Sequence, residues 1–403
     1  MRVALVHDYL NEYGGAERVL EALCEIFPKA PIYTAFYIKG SPAYKRFVDT
    51  KSFSSNKRFK SKKIIASWAQ NVPFFASYLH SPLRFLAPLI WNSFDFSQYD
   101  LVITSSSWYV TKGVVERKTQ NAKRKTLEIC YCHTPPRYLY GYPTAKKQRG
   151  FLVKTYALLV NHFMRVYDFE AAQRVDYFIA NSREVAARIK KFYRRDSTVI
   201  YPPVDTKKFE VRRSKFEVSG KYFLVVSRLV SAKRVDLAVE VCAKLGLPLK
   251  VVGTGPEMEN LKALAKRLTT NAKRSTVEFL GGVDDKGLVK LYQNCRAVIF
   301  PAEYEDFGIV PVEAMAAGKP VIVLAQGGVL ESVIDWSKGG NGKCTGVYFD
   351  PATTGSLTLA INNFTDLEEK GYFDPKFIQK HAQKFSKERF KREILTFVKS
   401  KVK

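Results

Sequence analysis

The sequence predicts an α/β protein made of two doubly wound parallel-sheet domains that face each other across a cleft. Three observations predict it. Short apolar runs without polar alternation recur along the chain, as expected of strands buried on both faces. Helical stretches separate them. The alternation then restarts after Tyr201-Pro202-Pro203-Val204-Asp205, where paired prolines punctuate a linker. With 403 residues and 46% hydrophobic content, the chain can fill two cores, and wholesale disorder is excluded. The expected division is residues 1–203 and 204–386, with a last helix over 387–403 packing back onto the first domain.

The first half opens with a strand at Val3-Ala4-Leu5-Val6, a Gly14-Gly15 loop, and an amphipathic helix from Ala16 to about Phe27. Leu101 to Thr104, Leu127 to Tyr131 and Tyr177 to Ala180 are further apolar strands, and Phe151 to Ala172 is a long helix. The second half starts with the strand Tyr222 to Val226 and continues through Leu249 to Gly253, Val277 to Leu280, Ala297 to Phe300 and Pro320 to Leu324. Helices over Asp236 to Lys244, Pro256 to Arg267 and Lys286 to Gln293 fall between them. The final helix carries Phe390, Ile394, Leu395 and Val398 at near-helical spacing. In paired doubly wound domains, ligands gather at the carboxyl ends of the strands.

Lys and Arg number 65 against 38 Asp and Glu, a formal charge of +27. Such a surplus calls for an anionic partner: nucleic acid, anionic lipid or a phosphorylated substrate. Nucleic acid is not expected, because the basic residues are spread over both halves rather than interleaved with stacking aromatics on one face. A dinucleotide-dependent oxidoreductase is disfavoured, since neither half carries Gly-x-Gly-x-x-Gly after its first strand. The six cysteines follow no disulfide framework, and no signal-peptide or membrane-spanning stretch is present. A reduced, cytoplasmic protein is the expectation.

The richest motif runs from Glu305-Asp306-Phe307-Gly308-Ile309-Val310-Pro311 through Glu313 to Gly318. Pro311 suits a first helical turn. Gly308 lets the backbone approach a ligand, and the amides of Gly308, Ile309 and Val310 then lie at a helix N-terminus that favours phosphate. Glu305 and Glu313 are suited to sugar and ribose hydroxyls, although two such acids alone could merely complement the helix dipole. Upstream, Arg228 and Lys233 follow the strand ending at Val226, close enough in sequence to clamp one diphosphate. Fixed cations there stabilise a leaving diphosphate as its charge grows. A solvated basic loop is the plainer alternative.

Together, Gly14-Gly15-Ala16-Glu17-Arg18, Ser227-Arg228-Leu229 with Lys233, Gly253-Thr254-Gly255-Pro256, and Glu305 through Phe307-Gly308 and Glu313 to Gly318-Lys319-Pro320-Val321 resemble family four of the retaining glycosyltransferases. The likeness spans nearly the whole chain, and the architecture resembles that family's GT-B fold of two Rossmann-like domains. Glu305 and Glu313 match the ends of its E-x7-E motif. The resemblance implies that Glu305 meets the donor sugar, that Glu313 meets the ribose, and that Arg228 and Lys233 hold the diphosphate. It further implies a retaining transferase that needs no metal and no cofactor beyond a nucleotide-diphosphate sugar as co-substrate.

Cys130-Tyr131-Cys132-His133-Thr134-Pro135-Pro136-Arg137-Tyr138-Leu139 lacks the second Cys or His pair of a zinc site. It resembles a loop of bacterial mannosyltransferase-like members acting on cell-surface polysaccharides. That likeness implies a sugar-positioning role for His133 and a substrate contact for Arg137, with GDP-mannose as donor and UDP-hexose as the alternative. The acceptor is expected to be a saccharide, lipid-linked in the fuller reading. Gly14 and Gly15 are candidates for backbone contacts to phosphate or acceptor. Asp8 and Glu17 could contact acceptor or simply cap the helix. Finally, the basic run Lys57 to Lys63 precedes an aromatic stretch reaching Trp91, the pattern of an interfacial helix on an anionic membrane. It points to peripheral attachment at the inner face of the cytoplasmic membrane, with a packed helical hairpin as the competing reading.

Overall fold

The computed structural model describes residues 1–47, 62–115, 126–144, 150–210, 220–268, 276–340 and 342–402. The chain divides into two compact units. The first comprises Met1–Tyr142, Gln148–Pro203 and Phe390–Lys403; the second comprises Pro143–Lys147 and Val204–Arg389.

In the first unit, β1 (Val3–His7), β2 (Ile32–Thr34), β3 (Ile64–Ala66), β4 (Leu101–Ser106), β5 (Leu127–Cys132), β6 (Tyr177–Ala180) and β7 (Ser197–Val199) form one parallel sheet in the order β3-β2-β1-β4-β5-β6-β7. The strands read as continuous apolar runs because both faces are covered. Leu5, Ile103 and Ile129 face one core with the helix Gly15–Ile26, while Ala4, Val6 and Val102 face another. The last helix, Lys387–Lys401, places Phe390, Ile394 and Val398 in the first of these cores, as its spacing predicts.

Beneath the sheet lies a buried ion pair. Lys112 Nζ donates to Asp168 Oδ1, Tyr140 Oη donates to Asp168 Oδ2 at 2.7 Å, and the ammonium lies 4.8 Å from the Tyr193 ring centre. Burial works against the Lys112 charge, but the Asp168 carboxylate outweighs it and holds the ammonium above its usual range.

Glu128 on β5 is fully buried, and its oxygens accept the Gly113 amide at 2.7 Å and the Val115 amide at 3.1 Å. Burial is the dominant effect and pushes its carboxyl up to about 7, against the pull of those amides. Between the ordinary value of 4.5 and about 7, the folded protein holds a proton that the unfolded chain has released. Stability is therefore expected to fall as pH rises through this window, by up to about 3 kcal/mol. Urea unfolding at pH 5 and pH 8 measures the slope, which Glu128→Gln should flatten. An equal slope in that variant assigns the pH dependence to other groups.

The stretch after Lys63 corrects an expectation. It forms neither an interfacial helix nor a helical hairpin. Pro73, Pro82 and Pro88 punctuate it. It runs through β3, single turns at Trp68–Asn71, Phe75–Leu79 and Arg84–Leu86, and the short helix Ala87–Asn92. Phe75, Ile90 and Trp91 are core residues. Lys62 donates to the Phe27 carbonyl at 3.0 Å and the Pro28 carbonyl at 2.7 Å, so it ties down the end of the first helix. Residues 57–61 of the basic run lie outside the described residues.

In the second unit, β8 (Phe223–Val226), β9 (Leu249–Val252), β10 (Val277–Gly281), β11 (Ala297–Phe300), β12 (Val321–Leu324) and β13 (Gly346–Phe349) make a parallel sheet in the order β10-β9-β8-β11-β12-β13. Counted from its own first strand, the order is 3-2-1-4-5-6, and it reverses between β8 and β11. Ligands of such sheets bind at that reversal.

Candidate functional site

The second unit assembles its candidate residues around the reversal. Ser227-Arg228-Leu229 leaves β8 and lies hard against the Gly253-Thr254-Gly255 turn. The Leu229 amide donates to the Thr254 carbonyl at 2.9 Å. A side chain at Gly253, whose φ is +128°, would collide with the Ser227 carbonyl; one at Gly255 would collide with that of Leu229. The two glycines thus seat the loop that presents Arg228, whose side chain is exposed.

Lys233 closes the single turn Ser231–Lys233, and its Nζ lies 2.5 Å from Glu305 Oε2. Both side chains are less than one fifth exposed. Next to them, Arg234 has φ +45° and donates to Glu303 Oε1 at 2.8 Å, which turns the chain into the helix Val235–Lys244.

Glu305 follows β11, and its backbone is fixed by a glycine pair that the sequence motifs did not single out. The Gly328 amide donates to the Glu305 carbonyl at 2.8 Å, and a side chain at Gly327 would strike that same oxygen. Three residues on, Gly308 caps the helix Ile309–Ala316 with φ +85°. A Cβ at Gly308 would come within 2.7 Å of Val329. The partly exposed Ile309 and Val310 open that helix, where amide hydrogens favour an anion.

Two residues of the motif have protein partners instead of open surface. Phe307, a candidate substrate-binding residue of the motif, is 2% exposed, and its ring packs 5.5 Å from that of Phe385. Glu313 is 1% exposed, and Tyr292 Oη donates to its Oε2 at 2.8 Å.

In the first unit, His133 follows β5 directly, buried beside Ser105 at the end of β4. Ser105 Oγ lies 2.7 Å from His133 Nε2 and 3.0 Å from His7 Nδ1, and His7 Nε2 lies 3.4 Å from Glu17 Oε1. Burial opposes a charge on Glu17, yet the His7 interactions and the Gly14 amide outweigh it and keep this carboxyl below its usual range. A carboxylate accepts only. His7 Nε2 therefore donates to Glu17, and the chain Glu17–His7–Ser105–His133 ties the start of the first helix to the end of β5.

This arrangement answers several expectations. The Gly14 amide donates to Glu17 Oε2 at 2.8 Å, so it is engaged inside the protein and its expected ligand contact is corrected. Gly15 remains exposed as the first residue of its helix. Asp8 is structural. Its Oδ2 accepts the amides of Ser107, Trp108 and Tyr109, its Oδ1 accepts the Thr111 hydroxyl, and together they pin the turn after β4. Arg137 is half-buried on the following loop, where its carbonyl accepts the Tyr140 amide at 3.2 Å. The structure joins Gly14 to His133 through Glu17, His7 and Ser105, and joins Lys233 to Glu305. Cys130 and Cys132 pack into the core. Among the described residues, no group of three or more His, Cys, Asp or Glu side chains is placed to hold a metal ion.

Two parallel-sheet Rossmann-like units, the second with its cations and carboxylate at the strand-order reversal, define the GT-B architecture. Comparison with known proteins agrees. Residues 13–208 match the model described as Glycosyltransferase Family 4, and residues 206–387 match Glycosyl transferases group 1. The two matches together span residues 13–387, and the chain has the GT-B fold of two Rossmann-like domains. It is 29% identical over 237 residues to the human alpha-1,3/1,6-mannosyltransferase ALG2, covering 53% of this chain and 55% of that protein. An uncharacterized glycosyltransferase of Methanocaldococcus jannaschii is 37% identical over 117 residues, 28% of this chain and 29% of the relative. The chain thus spans about half or less of the length of these curated relatives. Among solved structures, Anabaena HepE in complex with UDP and glucose superposes with a TM-score of 0.71 at 20% identity, covering 99% of this chain and 100% of the other.

Proposed function

We propose that the protein transfers a hexosyl unit, mannose from GDP-mannose, to a hydroxyl of a saccharide acceptor with retention of anomeric configuration and without a metal. The observation that carries the reading is the Lys233–Glu305 pair, 2.5 Å apart at the strand-order reversal and three residues ahead of the Gly308 helix start. A cation and a hydroxyl-binding carboxylate side by side suit the junction of diphosphate and sugar. Arg228 and Lys233 take up phosphate charge, the Ile309 and Val310 amides add to it, Glu305 fixes the sugar, and Glu313, anchored by Tyr292, takes the ribose. His133, oriented through Ser105, is assigned to the transferred sugar, and Arg137 and Gly15 to substrate contacts. The acceptor hydroxyl forms the new bond to the anomeric carbon as the bond to the diphosphate breaks on the same face. The hydroxyl proton passes to a departing phosphate oxygen, so no enzymic nucleophile is needed.

Mannose is supported by the likeness to ALG2, named as a mannosyltransferase, and by the His133 loop. UDP-hexose is the second reading, favoured by the UDP-bound structural neighbour. A lipid-linked acceptor in surface-polysaccharide synthesis extends the resemblance of that loop. Calorimetry against GDP, UDP, ADP and their sugars decides the donor; GDP-mannose is expected to bind most tightly. Chelator is expected to leave transfer intact. Loss of activity restored by magnesium overturns the metal-free assignment, and absence of binding to every nucleotide overturns the donor site.

A further inference from the structure

We infer that the exposed face of the helix Phe151–Arg174, in the first unit, is a docking surface for an anionic lipid bilayer. The inner side of this helix is anchored by Ala157, Met164, Asp168, Ala171 and Ala172, all buried. Its outer side, over the first four turns, is apolar as well: Leu152 is 81% exposed, Leu159 68%, Phe163 55% and Val166 49%, spaced seven, four and three residues apart. A patch of this kind is unusual on a monomer and marks an interaction site.

Charge selects the occupant. Residues 151–167 contain no Asp or Glu, but do contain Lys154 and Arg165. The adjoining segment is joined to the helix by Arg84, whose Nη2 donates to Asn161 Oδ1 at 2.7 Å, and by Tyr156, whose hydroxyl donates to the Pro82 carbonyl. That segment also lacks carboxylates from 62 to 94, and it exposes Phe74 at 72% and Tyr78 at 73%. A second copy is the poorer fit. A two-fold interface pairs identical patches, and here cations would meet cations in a chain of charge +27. Anionic headgroups answer the cations, and acyl chains answer the leucines and phenylalanines. Among the described residues no helix is long and apolar enough to cross a membrane, so this one lies in the plane of the interface. The inference does not depend on which nucleotide sugar is used.

Flotation of the full chain with phosphatidylglycerol–phosphatidylcholine vesicles, and with phosphatidylcholine alone, tests it. Binding is expected on the anionic vesicles and to weaken with salt. The double variant Leu159→Gln/Phe163→Gln should lower partitioning about tenfold or more with unchanged thermal melting, because both side chains are already in water in the free protein. Lys154→Gln should cost about fivefold, at low salt only. Wild-type partitioning in the double variant overturns the assignment. So does failure of the wild-type chain to float with anionic vesicles, including the case where it sediments as a dimer that the double variant dissociates.

Discussion

Lys233→Ala is expected to slow sugar transfer by about 10²–10³-fold and to weaken binding of the free nucleoside diphosphate as well. The reasoning starts from where charge appears. As the bond to the anomeric carbon breaks, the diphosphate gains negative charge, and a cation already fixed beside it stabilises the transition state by about 3–4 kcal/mol. Lys233 is fixed by its 2.5 Å contact with Glu305 and by its place at the end of a short turn, with its side chain only 19% exposed. Its removal also leaves the Glu305 carboxylate without this cation, so two like charges are brought together when donor binds. Arg228→Ala should act in the same direction. Glu305→Gln separates the roles, because it keeps the size and a hydrogen-bonding oxygen for Lys233 but removes the charge. It is expected to impair transfer far more than binding of the sugar-free nucleotide. Steady-state kinetics and calorimetry on the three variants decide the matter. Wild-type turnover and nucleotide affinity in Lys233→Ala would remove the diphosphate from this position, and equal losses on both measures in Glu305→Gln would move Glu305 to the nucleotide.

What was legible in the sequence was what local pattern encodes. The apolar runs at Val3, Leu101, Leu127, Phe223 and Ala297 are long, bounded and buried on both faces, so their strands stand within a residue or two of where the pattern puts them. The three-residue strands β2, β3 and β7 are too short to show a period, and they exist because a neighbouring strand offers hydrogen bonds. The second unit's site was readable because its residues lie in compact motifs, each on one loop. The first unit's was readable at Gly14, Glu17 and His133, but the links between them were not. Ser105 and His7 reach His133 because β1 pairs with β4 so that His7 stands opposite Ser105, and β4 pairs with β5 so that Ser106 stands opposite Cys132. Register between strands some hundred residues apart leaves no local trace. The seat of Glu305 on Gly327 and Gly328 was hidden for the same reason, although a glycine pair just after β12 was a usable signal. In the aromatic stretch from Ile64 to Trp91 composition misled as to secondary structure: hydrophobic residues beside a basic run are also what a strand and several proline-bounded turns need to enter a core.

Lys112→Met is expected to destabilise the first unit by about 3–5 kcal/mol, the usual cost of removing one partner of a buried ion pair. Met roughly keeps the volume of the lysine stem, so a cavity contributes little, and what changes is electrostatic. Asp168 is 0% exposed and keeps the Tyr140 hydroxyl, an uncharged partner that offsets less of the loss of water around its charge than the ammonium does. The carboxyl then takes up a proton more readily in the folded state than in the unfolded chain, which gives the prediction its sign. The deficit should be full at neutral pH, where folding must bury a charge or bind a proton. It should shrink as the medium is acidified toward the ordinary carboxylate range, where both states are protonated. Pairing Lys112→Met with Asp168→Leu removes both charges, and that double variant should recover much of the loss, because the net worth of a buried pair against apolar packing is small. Urea unfolding of the single and double variants from pH 4.5 to pH 8 provides the test. A single-variant loss below about 1 kcal/mol, or one that does not change with pH, would mean that water reaches Asp168 and that the pair is not the internal anchor of the long helix.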